Sequence, residues 1–322
     1  LTFSLYPLRF EFVAKDTLFF PPGKAANILR GALGVIFRKI ACVPHCPGAK
    51  TCEMQDACPY ARVFEPNSAL IGAGPSGLAD WPRPFVFRAS HLDGRTVNPG
   101  ESFWFDLNVF SPDHTVLAYF VLTFSSLARE GLGPGRGKAD LMKVLSGDQL
   151  LYDSATTTIS TGIEPLTLDL TPPSDSPRRI RVNFLTPTEL KHEHKIAGTP
   201  EFPILFGRIR DRIATLSRLY AGTILDIDYA GTNARAAEVK MIAYTGRQTQ
   251  TERRSSKTGR FHSIGGFTGE AEYEGDLSEF LPFLEAGRWI GVGRQSVWGK
   301  GEIAVVPIAE GVTAGQLRSP RS

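Results

Sequence analysis

Four cysteines lie close together, as Cys42-x3-Cys46-x5-Cys52-x5-Cys58. Thiolates at this density could close a tetrahedral zinc site or hold an iron–sulfur cluster, although the spacing matches neither standard signature. Reduced structural thiols or disulfides are the alternatives. A second group is Gly291-Val292-Gly293-Arg294-Gln295-Ser296-Val297-Trp298-Gly299-Lys300-Gly301. Glycine lets backbone approach a ligand closely, and free N–H groups in such a loop can cradle an anion. Arg294 and Lys300 add cationic donors, so the stretch reads as a loop that holds a phosphate backbone. A tight hairpin is the plainer alternative. The third group is Arg253-Arg254-Ser255-Ser256-Lys257-Thr258-Gly259-Arg260. It is either an exposed hairpin tip or a basic finger that docks on a nucleic-acid helix.

Six histidines carry the side chains that titrate near neutrality. His45 sits among the cysteines and could be a metal ligand. His192 and His194 would face one side of a strand and could bind metal. His262 follows the basic stretch, and His91 and His114 read as turn and cap residues. Ile71-Gly72-Ala73-Gly74-Pro75-Ser76-Gly77-Leu78 matches the glycine fingerprint of flavin and nicotinamide enzymes. That motif works only between a strand and a helix. Pro66 leaves little room for a strand before it, and Pro82 and Pro84 stop a helix after it.

The elements that must position these groups can be read from periodicity. Residues 2–13 alternate as a strand. Ala25, Ile28, Leu29, Ala32, Leu33, Ile36, Phe37 and Ile40 form the stripe of an amphipathic helix. Strands are expected at 85–87 and 103–110, and a helix capped by Ser111-Pro112-Asp113 has its apolar face from Val116 to Ala128. Weaker strands follow near 150–152 and 166–170. After a linker at 171–177 comes a strand at 180–184, ended by Thr186-Pro187. A helix within 200–220 carries Arg208, Arg210, Arg212 and Arg218 on its outer face. Strands at 236–244 and 261–273 follow. Asp276-x-x-Glu279 resembles a capping box opening a helix that Gly287 ends, and the last strand runs from 302 to 306. The fold class is thus α+β, with the βαββαβ order of a ferredoxin-like (RRM-like) domain appearing in tandem and the glycine-rich loop near the C-terminus. Residues 1–172 form the first domain, with a cysteine-rich insertion at about 41–60. Residues 178–308 form the second, and 309–322 a mobile tail.

The chain has 322 residues, 42% hydrophobic and 21% charged, with a net charge of +3. That charge is too small by itself to announce a nucleic-acid binder, so the clustering of the arginines matters more. No apolar run is long enough to span a bilayer, and Arg9, Glu11 and Lys15 interrupt the early apolar residues. A soluble cytoplasmic protein without a membrane partner is the expectation.

Two βαββαβ units that end in a G-h-G-x5-G-x-G loop resemble the CRISPR-associated repeat-processing endoribonucleases of the RAMP superfamily. The resemblance covers most of the chain. Its residues are Gly291, Val292, Gly293, Gly299 and Gly301, with Lys300 where that family more often has an apolar residue. Ile28-Leu29-Arg30-Gly31-Ala32-Leu33-Gly34, Cys58-Pro59-Tyr60 and Phe184-Leu185-Thr186-Pro187-Thr188 add to it. The resemblance implies binding of a repeat hairpin in a precursor CRISPR transcript and one metal-independent cut at its base. The 2′-OH would attack the adjacent phosphate, leaving a 2′,3′-cyclic phosphate and a 5′-OH. Relatives place the base just after the first helix, where His45 is the nearest residue. His262 is the second candidate and Tyr60 a helper, unless it is a core aromatic. Arg253, Arg254, Lys257 and Arg260 would track RNA phosphates. Gly291, Gly293, Arg294, Gly299, Lys300 and Gly301 would hold the strand near the loop. No cofactor is needed for that reaction, so a metal at Cys42, Cys46, Cys52 and Cys58 would be structural. Delivery to a CRISPR effector complex and a homodimer are further expectations. The competing functions are a non-catalytic RNA-binding subunit of the same superfamily and, more distantly, an oxidoreductase.

Overall fold

A computed structural model describes residues 1–308 except 43–45, 47, 49–50, 70–80, 112, 194, 250–251, 255–260 and 264. For 68–69, 252–254 and 261–263 it describes the backbone alone. In the first half, β1 (Thr2–Ala14) leads to α1 (Ala25–Ala41) and the short α2 (Pro59–Phe64). Then come β2 (Phe85–Arg88), β3 (Ser102–Val109), α3 (His114–Glu130) and β4 (Ala139–Ser146). These strands pair in the order β2-β3-β1-β4, and the sheet continues through Gln149–Asp153 and Thr158–Ile159. All the pairings are antiparallel.

Alternation in β1 and β3 sends one aromatic row inward. Phe10 registers with Phe105 and Phe12 with Phe103, and the rings stack at centroid distances of 5.4 and 5.0 Å. Against this row lie Leu29, Leu33 and Phe37 of α1 and Phe120 and Phe124 of α3, all buried. Complete burial of each such side chain is worth about 1.5–3 kcal/mol, which fixes both helices on the same face. Asp113 caps α3 as expected, accepting from Thr115 N at 3.0 Å. No local side chain caps α1. The Asp93 carboxylate, from the turn after β2, accepts from Ala25 N instead, at 2.8 Å.

The second half repeats the pattern with β5 (Arg179–Thr188), α4 (Phe202–Leu216), α5 (Tyr229–Ala236), β6 (Lys240–Thr249), β7 (Gly266–Glu274), α6 (Leu281–Ile290) and β8 (Ile303–Pro307). The order is β6-β7-β5-β8, again antiparallel. Ile180, Val182 and Phe184 pack on Leu205, Ile209, Ile213 and Leu284. Phe3, Leu5, Val86, Phe110 and Leu170 of the first half are buried in this second core.

Several expectations need correction. The strand that pairs β1 as the fourth of the first unit is β4, not 150–152 or 166–170. Met142 and Lys143 are exposed in succession, where the register with β1 shifts, and that bulge breaks the alternation. Gln149–Asp153 extends the sheet beyond β4, and Leu166–Asp169 pairs only the first residues of β1. Pro187 does not end β5. Its ladder with β7 passes from Phe184 directly to Thr188, so the missing proline N–H forfeits no bond there. The strand expected at 236–244 begins at Lys240, because Ala236 closes α5, whose N-cap is Asp228. The strand expected at 261–273 is two, Phe261–Ser263 and β7. The capping box does not form. Asp276 accepts from Ser278 N at 3.2 Å, Glu279 pairs with Arg235, and α6 starts at Leu281. Arg208 on α4 and Arg218 in the turn after it are exposed, but Arg210 is 4% exposed and Arg212 is half-buried.

Candidate nucleic-acid interface

The segment 291–301 joins α6 to β8 and lies between the two halves. Gly291, Gly293, Gly299 and Gly301 all have positive φ, as does Gln295. Val292 N donates to Gly301 O at 2.8 Å, Gly301 N to Pro187 O at 3.1 Å, and Arg294 N to Glu189 O at 3.0 Å. A Cβ on Gly301 would collide with Val292 O, one on Gly293 with Glu189 O, and one on Gly299 with Ala26 Cβ of α1. The open anion cradle expected here is therefore corrected at these three positions. The glycines let the chain's own backbone close on itself, because each approach leaves no room for a side chain.

Lys300 is corrected in the same way. It is buried, and burial lowers its pKa while Asp93 opposes that shift. It acts from inside the protein, where its charge is felt by Asp93, the carboxylate that caps α1. Next to it, Ser90 Oγ donates to Glu302 Oε2 at 3.0 Å. Arg294 does reach the surface, and its Nη1 bonds Glu189 Oε1 at 2.6 Å.

The last carbonyls of α6 have no partner within the helix. Arg88 Nη2 donates to Arg288 O at 2.8 Å, Asn108 Nδ2 to Trp289 O at 2.8 Å, and Arg212 Nε to Ile290 O at 3.1 Å. Burial pulls Arg212 down to about 10, with Arg88 adding to the effect. Burial likewise lowers Arg88, against the opposing charge of Glu302. Cations suit a helix C-terminus, and this is why Arg212 leaves the outer face where periodicity put it. Sequence reasoning passed over Arg88 and Asp93. The available signal for Arg88 was a lone charge closing the apolar run Phe85-Val86-Phe87. Arg88→Met should strip the Arg288 carbonyl of its partner and cost roughly 1–3 kcal/mol. Calorimetry should show Tm falling by about 2–4 °C for each kcal/mol, and an unchanged Tm would show that the carbonyls find other partners.

The basic stretch is a hairpin in its described part. Glu252–Arg254 pairs with Phe261–Ser263 antiparallel, with His262 opposite Arg253 and Phe261 opposite Arg254. Lys257 and Arg260 lie outside the described residues, as does His45. His192 is exposed on the small hairpin of Lys191–His192 and Lys195–Ile196. His194 is also outside the described residues.

The ends of the segment that carries His45 are held to α1. Cys42 N donates to Arg38 O at 3.1 Å, and Arg38 Nη2 to Cys46 O at 3.0 Å. A hydrogen bond with Cys42, then Gly48 N–H and Arg38, hold the Cys46 thiol pKa below its ordinary value. Cys58 instead accepts from Ala61 N at the start of α2. None of the four cysteines is in a disulfide. Among the described residues, no three His, Cys, Asp or Glu side chains are grouped to hold a metal ion. Tyr60 is half-buried and stacks on Phe64 at 5.0 Å. Burial raises its phenol pKa, which makes it a weaker acid and favours its reading as a packing residue.

The flanks of the glycine fingerprint run opposite to a dinucleotide site. A helical turn, Pro66–Ala69, precedes it and β2 follows, while residues 70–80 lie outside the described set. Among the described residues, no helix is long and apolar enough to cross a membrane.

Comparison with known proteins adds the following. Residues 182–303 match the family model described as CRISPR-associated endoribonuclease Cas6. Residues 3–163 match a model described as an N-terminal domain. A solved Cas6 product complex is similar at a TM-score of 0.55 and 15% identity, over 94% of this chain and 100% of that one. A Thermus thermophilus Cas6 is similar at 0.51 and 14%, over 94% and 98%. A partial Cas6-RT-Cas1–Cas2 complex is similar at 0.53 and 10%, over 95% and 46%. At these identities the structural likeness is one of fold. No curated protein matches the sequence.

Proposed function

We propose, from the match of residues 182–303 to the CRISPR-associated endoribonuclease Cas6 family, that the chain is a repeat-processing endoribonuclease with a RAMP-like fold, which binds the repeat of a precursor CRISPR transcript and cuts it without a metal ion. A base takes the proton of a ribose 2′-OH, and the oxygen attacks the adjacent phosphorus. The bond from phosphorus to the 5′ oxygen breaks, and that oxygen leaves with a proton. The products are a 2′,3′-cyclic phosphate and a 5′-OH. Chemistry of this kind needs general acid–base catalysis and stabilisation of charge on the phosphate.

In this reading His45 is the base and His262 the second candidate, while Tyr60 serves as a packing residue on Phe64. Arg253, Arg254, Lys257 and Arg260 neutralise phosphates along the RNA stem. Arg294, exposed on the 291–301 segment, holds the strand, while Lys300 lies buried beneath it. The observation that carries the reading is the match over 182–303, a span that contains both the basic hairpin and the 291–301 segment.

Incubating repeat RNA with the protein and a chelator tests it. The expected result is an undiminished cut, with a cyclic phosphate found on the upstream fragment by mass spectrometry. Cleavage lost to the chelator and restored by magnesium would overturn the metal-independent route. Binding without any cut would overturn catalysis and leave an RNA-binding subunit of the same superfamily.

A further inference from the structure

One cluster outside the elements assigned above has the shape of a stacking surface. Trp104 lies on β3 between Phe103 and Phe105. Both phenylalanines are buried, so alternation turns the indole to the opposite, half-buried face of the sheet. Two flat groups lie against it. The Arg9 guanidinium carbon is 3.9 Å from the ring centroid. The His91 ring is 3.8 Å away, centroid to centroid, tilted by 26°.

Each group is locked by its own bonds. Arg9 donates to both oxygens of Asp106, at 2.8 and 3.1 Å. His91 Nε2 lies 2.8 Å from Trp104 O. Both reach solvent: His91 is exposed, and the Arg9 side chain keeps 43% of its surface. Burial therefore does not explain the stack, since aliphatic side chains would cover the sheet as well. Its rotamers are already held by these bonds, so a planar ligand would lose little side-chain entropy on binding. Arg95 and Lys143 are exposed on neighbouring elements; Lys143 faces Glu11 across the ladder, and Glu11 faces Trp104. Ser90, adjacent to His91, bonds Glu302 at the end of the 291–301 segment. That bond ties the turn carrying His91 to the residue that follows the 291–301 segment.

We propose that His91, Trp104 and Arg9 form a platform on which an unpaired RNA base stacks. The inference rests on the reading of RNA as the ligand and adds a binding site to it. Every base has a π face, and stacking on protein aromatics is worth about 1–3 kcal/mol per base. The site therefore takes single-stranded RNA with little sequence preference and makes no demand on phosphate charge.

The test is the anisotropy of fluorescein-labelled oligo(rA)12 titrated with the full chain. His91→Ala and Trp104→Ala should each weaken binding by roughly 5- to 150-fold, the range that a single stacking contact implies. His91→Phe, which keeps a flat ring, should restore most of the affinity. The slope of log affinity against log salt should stay the same in all variants, because no phosphate contact is lost. His91 is exposed, so its variants remain informative if Trp104→Ala fails to fold. The proposal is overturned by an absence of oligo(rA)12 binding, by unchanged affinity in His91→Ala, by a shallower salt slope, or by His91→Phe as weak as His91→Ala. Binding through the stack by a protein that leaves repeat RNA uncut would refute the cleavage reading alone. Cleavage with His91→Ala binding undiminished would refute the platform alone.

Discussion

Replacing His45 with alanine is expected to slow single-turnover cleavage of repeat RNA by roughly 10²- to 10⁴-fold, the usual worth of a positioned general base, while RNA affinity is kept. Imidazole suits the task because it exchanges a proton near neutral pH. Cys42 and Cys46, on either side of His45, are both bonded to Arg38 in the last turn of α1. Rates measured with enzyme in excess separate the chemical step from binding. A wild-type rate in His45→Ala would move the base elsewhere. His262→Ala is then the next variant to examine, since its strand sets it opposite Arg253. Unchanged rates in both variants would refute a histidine base at either position.

Gly301→Ala should be the most damaging single change to the 291–301 segment. Its φ is 68°, so any side chain pays roughly 1–2 kcal/mol for the left-handed conformation. The new Cβ would also meet Val292 O, which is backbone and cannot swing away. Relief requires parting Val292 N from Gly301 O and Gly301 N from Pro187 O, each bond worth about 1 kcal/mol net. Together these give a loss on the order of 3–4 kcal/mol, or a Tm lower by about 10 °C. Gly291→Ala is the control. Its φ is 71°, but the nearest atom to its Cβ is Ser296 Cβ at 3.2 Å, so strain dominates and the loss should be smaller. Equal losses in the two variants would show that backbone closure at Gly301 is not what the glycine serves.

The sequence by itself determined the elements with strong periods. The alternation of β1 and the apolar stripe of α1 each specify one buried face, and the βαββαβ order repeats in the second half. Asp113 was legible as a cap because its acceptor and donor lie two residues apart. The β4 strand was not, because a bulge interrupts its alternation. The roles of Arg88, Arg212, Asp93 and Lys300 were decided only by the tertiary structure. Periodicity puts Arg212 on an outer face, but the end of α6 arrives there with a carbonyl that has no partner in its own helix. Lys300 reads as a phosphate ligand until the fold buries it, within the electrostatic reach of Asp93 from the other half. The 291–301 glycines divide in the same way. Their spacing announces a tight backbone, but whether that backbone closes on a ligand or on the protein depends on Pro187, Glu189 and Ala26. Those partners are remote in sequence, and local pattern carries no record of which distant carbonyl or carboxylate will face a given side chain.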